Sequence, residues 1–413
     1  MGKGMAKEYK DLIVGLDIGT AKIMTVVGEL LSGGDLRLVG LGVAASNGLK
    51  KGVVDSIDAT VASIQQSLKE AELMADCKIA RVYAGLTGRY IRGFNSRGMV
   101  AIKDREVTPA DVARVIDTAR AINIPSDQRL LLVEPQEFAI DGQDVREPVG
   151  MSGMRLEAKV HIVTGPQSAA ENVVKCVRRC GLEVEYLMLN PLASAQAVLT
   201  EDERELGVVC VDIGAGTTDV AIYAGGVIRH TAVIPIGGDL ITSDIAMALS
   251  TPTPDAEDIK VTNGCAKQLL ADADVRVEVP GLGNRTPRML SRQALAGVIE
   301  PRVEEIFSLV QQVVRDSGYE EVLSSGVVLT GGSSIMPGMV ELGEDIFLKS
   351  VRRGAPRYSR ALADMVAGPR AATVMGLMEE ARLSRLRGSP VAQKVGPIKG
   401  LFTRAKDFIL GNF

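Results

Sequence analysis

Two short segments of the 413-residue chain carry side chains able to hold phosphate and a hard cation. In the first, the apolar run Leu12 to Leu16 meets Asp17-Ile18-Gly19-Thr20, and Lys22 to Val27 returns. In the second, Val208 to Val211 meets Asp212-Ile213-Gly214-Ala215-Gly216-Thr217-Thr218, and Asp219 to Tyr223 returns. Each reads as a β-hairpin whose turn opens on an aspartate. Tight glycine turns expose backbone N–H groups, and Thr20, Thr217 and Thr218 add hydroxyl donors, so both turns suit phosphate oxygens. Asp17 and Asp212 would repel those oxygens unless they hold Mg²⁺, mainly through its waters; they are the candidate catalytic and metal-binding residues. Lys22 offers a cation to a β- or γ-phosphate. A single hairpin of this kind is more often a turn capped by its aspartate. Two of them, followed later by a strand over Val327 to Thr330, the turn Gly331-Gly332-Ser333-Ser334 and a helix pattern over Pro337 to Ile346, point to a nucleoside triphosphate.

The elements that must position these residues repeat. The two aspartates lie 195 positions apart (212 − 17), which implies two related α/β halves facing each other across a cleft. Between the hairpins, the stretch to about Gly165 has the signals of a small α+β unit. Thr108 caps a helix with Pro109 at its first position, and Val112, Val115, Ile116 and Ala119 form its apolar face. Leu130 to Val133, Glu137 to Ile140 and Leu156 to Val163 read as strands. A second insertion, about Asp239 to Ser308, is richer in helix, with Thr253 as a cap before Pro254. Near the end, Gly388 to Pro397 reads as a linker and Ile398 to Phe413 as an amphipathic helix. At 100° per residue, Ile398, Leu401, Phe402, Ala405, Phe408, Ile409 and Phe413 fall within an arc of about 140°. Lys399, Arg404 and Lys406 flank it, which suits anionic lipid headgroups.

Composition narrows the classes. No apolar stretch reaches the roughly eighteen residues of a spanning helix, and 46% hydrophobic with 24% charged residues is ordinary for globular chains. A net charge of −4, 3% aromatics and no Trp argue against nucleic acid as a partner. The five cysteines are too sparse for a disulfide framework, and two histidines, His161 and His230, are too few for zinc with Cys176 and Cys180. His161 reads as a strand residue and His230 follows a turn, so neither is assigned to catalysis.

The ordered motifs resemble those of the actin, Hsp70 and sugar-kinase superfamily. The hairpins match its two phosphate motifs and Leu329 to Pro337 its adenosine motif. Asn190-Pro191-Leu192-Ala193-Ser194-Ala195 is similar to its first interlobe connecting helix, and Arg370-Ala371-Ala372-Thr373-Val374-Met375-Gly376 to its second. Within it, the insert ending in Val160-His161-Ile162-Val163-Thr164-Gly165-Pro166, together with the terminal helix ending in Asn412-Phe413, resembles the FtsA family of bacterial cell-division proteins.

That resemblance implies a two-lobed α/β actin-like fold with an inserted α+β subdomain in the first lobe and a C-terminal amphipathic helix. It divides the chain into first-lobe core (1–86), an SHS2-like insert called 1C (87–165), first lobe again (166–205) and second-lobe core (206–238). Subdomain 2B (239–308), second-lobe core (309–362), a return to the first lobe (363–388), linker (389–397) and membrane-targeting helix (398–413) follow. It also implies ATP and Mg²⁺ in the cleft, contacted by Gly19, Thr20, Lys22, Gly214, Gly216, Thr217, Thr218, Gly237, Gly238, Gly331, Gly332, Ser333 and Met336, with Glu257 and Lys260 beside adenine and ribose. Many ATPases of the superfamily carry Glu or Gln where Asn190 stands, so hydrolysis is expected to be slow or regulated. The implied partners are the FtsZ C-terminal tail on 2B, where Arg285, Arg288 and Arg292 suit an acidic peptide, later division proteins through 1C, further copies in a head-to-tail polymer, and anionic inner-membrane lipid. The place implied is the cytoplasmic face of the bacterial inner membrane at the division site. A small-molecule kinase of the same superfamily and a PilM-type pilus-assembly adaptor are the alternatives.

Overall fold

Both hairpins form, and their registers match. Leu12–Ile18 pairs antiparallel with Lys22–Leu30, placing Asp17 opposite Met24. Val208–Ile213 pairs in the same way with Thr218–Ala224, placing Asp212 opposite Asp219. The turns close alike: the Gly19 N–H donates to the Lys22 carbonyl at 3.0 Å, and the Gly214 N–H to the Thr217 carbonyl at 2.9 Å. These strands are apolar along nearly their whole length because helices or loops cover both faces of each sheet.

The computed structural model describes residues 11–388 apart from 284, 359 and 361. Ile398, Lys399, Leu401, Phe402, Arg404, Lys406, Phe408, Ile409 and Phe413, assigned above to a membrane helix, lie outside the described residues. Around each hairpin the same sheet order recurs. In the first, Leu36–Ala45, Lys22–Leu30 and Leu12–Ile18 run antiparallel, and Arg81–Leu86 and Glu183–Leu189 then add in parallel. In the second, Val227–Ile234, Thr218–Ala224 and Val208–Ile213 are followed by parallel Val327–Thr330 and Val351–Arg353. The duplication expected from the aspartate spacing is therefore a duplication of topology, and the fold is actin-like.

Two helices join the halves beneath the hairpins, Asn190–Val198 and Ala372–Leu386. They touch backbone to backbone: a side chain at Gly376 would collide with the main chain of Ala193, so only glycine fits.

The insert does not stand apart from the second sheet. Its strands Arg92–Ala101, Arg155–Pro166, Gln128–Ile140 and Gln143–Val145 continue that sheet to nine strands, meeting Val227–Ile234 at Arg92 opposite Ala232. The helix Pro109–Arg120 carries the Thr108 capping box and buries Val112, Val115, Ile116 and Ala119 in a core of the insert's own. Leu130 to Val133 and Glu137 to Ile140 are one strand rather than two. Pro135 is accommodated because the register slips there: Val160 faces Pro135 while Lys159 faces Glu137, leaving Gln136 as a bulged residue. Thr253 does not cap its helix; the helix Thr253–Asn263 begins at Thr253 itself, after Pro252, with no side-chain cap. A 3₁₀ turn, Gly332–Ile335, delays the helix after the late glycine turn to Met339–Phe347.

Candidate functional site

The two hairpin tips meet across a cleft. A side chain at Gly216 would come within 2.6 Å of Thr20 Oγ1, and Thr20 Oγ1 itself accepts from the Gly52 N–H at 3.2 Å. Behind the second tip, the Gly238 and Asp239 N–H groups donate to the carbonyls of Gly214 and Ala215, both at 2.9 Å, and Ser333 Oγ donates to the Gly214 carbonyl at 3.2 Å. The three glycine segments are thus one hydrogen-bonded assembly, and they frame a cavity of about 580 Å³.

Most of the residues named from sequence line that cavity: Asp17, Gly19, Thr20, Lys22, Asp212, Gly214, Gly216, Thr217, Glu257, Lys260, Gly331, Gly332, Ser333 and Met336. Thr218, Gly237 and Gly238 do not. Thr218 follows the strand alternation inward, is fully buried and donates its hydroxyl to the Ile236 carbonyl at 2.8 Å, so it offers nothing to a ligand in this structure. Gly237 packs against the Gly214 and Ala215 carbonyls, where a Cβ would sit 2.6 Å away, and supports the second tip from behind.

Charge in the cleft is concentrated and poorly solvated. Burial pushes the Asp17 carboxyl up to about 6, partly offset by the Lys22 ammonium and reinforced by the Asp212 charge. Burial also raises Asp212, which accepts from Ser194 Oγ at 2.5 Å and from Thr373 Oγ1 at 3.3 Å. Lys22 is the counter-charge, its own pKa lowered by burial; its Nζ donates to the Arg370 carbonyl at 2.5 Å, from the second connecting segment. Ser194 lies on the first connecting helix and Thr373 on the second, so both helices hold Asp212 in place.

A third carboxylate was not singled out from sequence. Asp219 is 4% exposed, lines the cavity and is raised well above the ordinary carboxylate range by burial and by the charges of Asp212 and Asp17. Thr87 Oγ1 donates to it at 2.8 Å. A position-by-position comparison of the repeated hairpins would have found it, since Met24 stands at the matching place in the first. Asn190 also lines the cavity, 6% exposed, and its Oδ1 has no hydrogen-bond partner among the described residues.

At the other end, Lys260 Nζ donates to Glu257 Oε2 at 2.6 Å, to Thr242 Oγ1 at 2.8 Å and to the Gly238 carbonyl at 3.1 Å. The pair is a cleft wall with a buried ammonium rather than a solvated helical ion pair. Of the three arginines read as a partner surface, Arg285 and Arg288 are exposed, whereas Arg292 lines the cavity. Among the described residues, no three His, Cys, Asp or Glu side chains converge to hold a metal directly.

The family model described as "Cell division protein FtsA" matches residues 209–376, and that of the "SHS2 domain inserted in FTSA" matches residues 88–164. The chain is 56% identical over 368 residues to the cell division protein FtsA of Pseudomonas aeruginosa, covering 89% of this chain and 88% of that one. It is 46% identical over 393 residues to that of Escherichia coli K12, covering 93% and 94%. Among solved structures, a PilM-PilN type IV pilus biogenesis complex aligns with a TM-score of 0.65 at 18% identity over 90% of this chain and 98% of that one. MreB5 of Spiroplasma citri bound to AMPPNP aligns with a TM-score of 0.57 at 14% identity over 92% and 99%. The actin-like fold, the SHS2 insert and identity along nine-tenths of the length agree, and the chain belongs to the FtsA family of cell division proteins.

Proposed function

We propose that this division protein binds ATP with Mg²⁺ in the cleft and assembles head to tail on the cytoplasmic face of the inner membrane at the division site. There it tethers the FtsZ ring through the region 239–308 and recruits later division proteins through the insert. The observation that carries the nucleotide reading is the meeting of two glycine turns with three buried carboxylates and the lysines Lys22 and Lys260 around one cavity.

The residues fit the proposed group. Hard oxygen donors without a complete protein cage suit Mg²⁺, which keeps its waters and takes further ligands from phosphates. Bound there, Mg²⁺ would neutralise charge on the phosphate oxygens. Asp17 and Asp212, both pushed toward neutrality by burial, regain a reason to ionise beside a divalent cation. The glycine turns present N–H groups to phosphate, and Lys22 is released from the Arg370 carbonyl to do the same. Asn190 lines the cleft, but its Oδ1 is buried against Gly85, so the residue brings an amide and no base to the site. An amide can hold a water but does not take its proton at neutral pH, in keeping with slow turnover.

Calorimetry of the full chain tests this directly. ATP binding should require Mg²⁺, and Asp212→Ala should weaken it at least tenfold while the exposed Lys69→Ala leaves it alone. No heat of ATP binding with Mg²⁺ present would remove the proposal.

A further inference from the structure

By chain order the insert belongs to the first lobe, yet it bonds to the second. Asn95 Nδ2 donates to the Arg229 carbonyl, and Gln136 Nε2 to the carbonyls of Ile228 and Arg229, while His161 Nε2 pairs with Thr231 Oγ1. All of these partners lie on the second-lobe strand Val227–Ile234. A further attachment is made at Tyr319, just after the second-lobe helix Arg292–Ser317. Lys159 Nζ donates to the Tyr319 hydroxyl at 2.8 Å and lies 5.4 Å from the ring centroid, and the Arg229 guanidinium stands 5.9 Å from the same ring. Glu137 accepts from Arg229 and lies 3.9 Å from Lys159 Nζ. Two insert strands and two second-lobe elements thus share one cluster. Its cations are partly shielded, Lys159 at 21% and Arg229 at 12% exposure, so they hold more firmly than a surface pair.

Toward the first lobe the contacts are of another kind. The chain enters the insert through Thr87-Gly88 and leaves it through Gly165-Pro166. Gly88 has a φ of +154°, which residues with a side chain rarely adopt, so the entry is a backbone position of glycine freedom. Ile91, Leu131, Leu132 and Val163 are buried in the apolar core that the insert shares with the first lobe. Apolar packing is non-directional and tolerates sliding, whereas hydrogen bonds and ion pairs hold one geometry.

We propose that the insert is a rigid arm of the second lobe, which swings against the first lobe whenever the two lobes change their angle. The last described helix, Ala372–Leu386, ends on the first lobe: a Cβ at Gly34 would come within 3.2 Å of Leu386, and Arg385 pairs with Glu185 at 3.3 Å. The segment after residue 388 therefore starts from the first lobe. Insert and tail stand on opposite sides of the hinge, and the angle between the lobes sets the angle between them. The arm goes beyond the nucleotide reading and does not depend on it; ATP serves in the test as the ligand chosen to change the angle.

Full-length protein is labelled in pairs with nitroxides on azide-bearing residues introduced at Ala113 in the insert, Lys69 in the first lobe and Glu344 in the second, all of them exposed. Distances are read by double electron–electron resonance after dilution into unlabelled protein, with Mg²⁺ and with or without ATP. The distance from insert to second lobe should be narrowly distributed and unchanged by ATP. The distance from insert to first lobe should be broader, and should shift with ATP together with the distance between the lobes. Tyr319→Ala should broaden the distribution from insert to second lobe, and Tyr319→Phe, which keeps the ring and loses the Lys159 bond, should broaden it less. A distance from insert to second lobe that shifts with ATP, or that is as broad as the one to the first lobe, overturns the proposal. So does a Tyr319→Ala protein that melts like wild type and keeps the narrow distribution. If Tyr319→Ala does not fold, Tyr319→Phe must still broaden it. ATP that moves none of the three distances counts against closure by nucleotide, and the widths then decide the arm by themselves.

Discussion

Asp17 shows how much the cleft costs the protein when it holds no cation. A carboxyl raised from 3.8 to about 6 is harder to ionise in the folded chain than in the unfolded one. The folded state then binds the extra proton, so stability falls as pH rises from about 4 through 6. At about 1.36 kcal/mol per unit, the penalty approaches roughly 3 kcal/mol above pH 7. His161 works in the opposite direction: buried and held neutral, its pKa is lowered to about 3, so its contribution is lost as pH falls below 6.5. A raw pH profile therefore mixes these with the other buried carboxylates, and the difference between wild type and Asp17→Asn reports Asp17 together with the effect of its charge on Asp219 and Lys22. In urea melts without nucleotide, Asp17→Asn should gain on wild type by up to about 3 kcal/mol between pH 4.5 and 7.5, and Mg²⁺ with ATP should shrink that gain. A difference that stays flat with pH would mean that Asp17 is already ionised and solvated. The glycine and aspartate pattern made this residue legible in the sequence. Asp219 and Arg292 were not, because a lone strand carboxylate and a lone arginine acquire meaning only from what folds against them.

At the scale of elements, strand alternation, capping boxes and glycine turns were readable because each is a local preference. The join between the insert and the second sheet was not, because it depends on one bulge. By stepping out of register, Gln136 sends its Nε2 to the carbonyls of Ile228 at 2.8 Å and Arg229 at 2.9 Å, on Val227–Ile234, a strand separated from its own by two others in the sheet order. Asn95 completes the joint. Its Nδ2 donates to the Arg229 carbonyl at 3.1 Å, so its Oδ1 must accept from His161 Nδ1–H at 2.8 Å. His161 Nε2 is then left to accept from Thr231 Oγ1 at 2.9 Å. The bulge, the tautomer and the burial of His161 are consequences of one network, which seals a sheet that backbone pairing alone holds at a single residue pair. Asn95→Leu keeps the branched shape of the side chain and removes both its donor and its acceptor, leaving the buried imidazole N–H unpaired. It should cost about 2 kcal/mol of stability and raise hydrogen exchange in Arg92–Ala101 and Val227–Ile234. If exchange rises only across Pro109–Arg120, the joint is held by apolar packing instead and the polar network is incidental.

For the molecule as a whole, the described residues contain no helix long and apolar enough to cross a membrane. The segment 398–413 has the composition for a hold on lipid, with an apolar arc flanked by Lys399, Arg404 and Lys406. Burying five of its large side chains at about 1.5 kcal/mol each gives roughly 7 kcal/mol gross, and ordering a helix of sixteen or so residues consumes much of that. One copy should then bind lipid weakly and reversibly, whereas many copies in one polymer bind through the sum of their tails. A head-to-tail array related by translation turns every tail toward the same side, which is what such multivalency requires. None of the cleft residues lies in this segment, so a lipid contact made there would be separable from nucleotide binding in the cleft. Removing residues 398–413 should leave ATP affinity unchanged and abolish flotation with anionic liposomes. Phe402→Glu should come close to the deletion by placing a charge inside the arc, and Asp407→Ala on the opposite face should bind lipid as well as wild type or better. Flotation should also rise steeply with protein concentration as copies assemble. Should Phe402→Glu instead lower the melting temperature while flotation persists, the tail packs on the body and the lipid contact must be sought elsewhere.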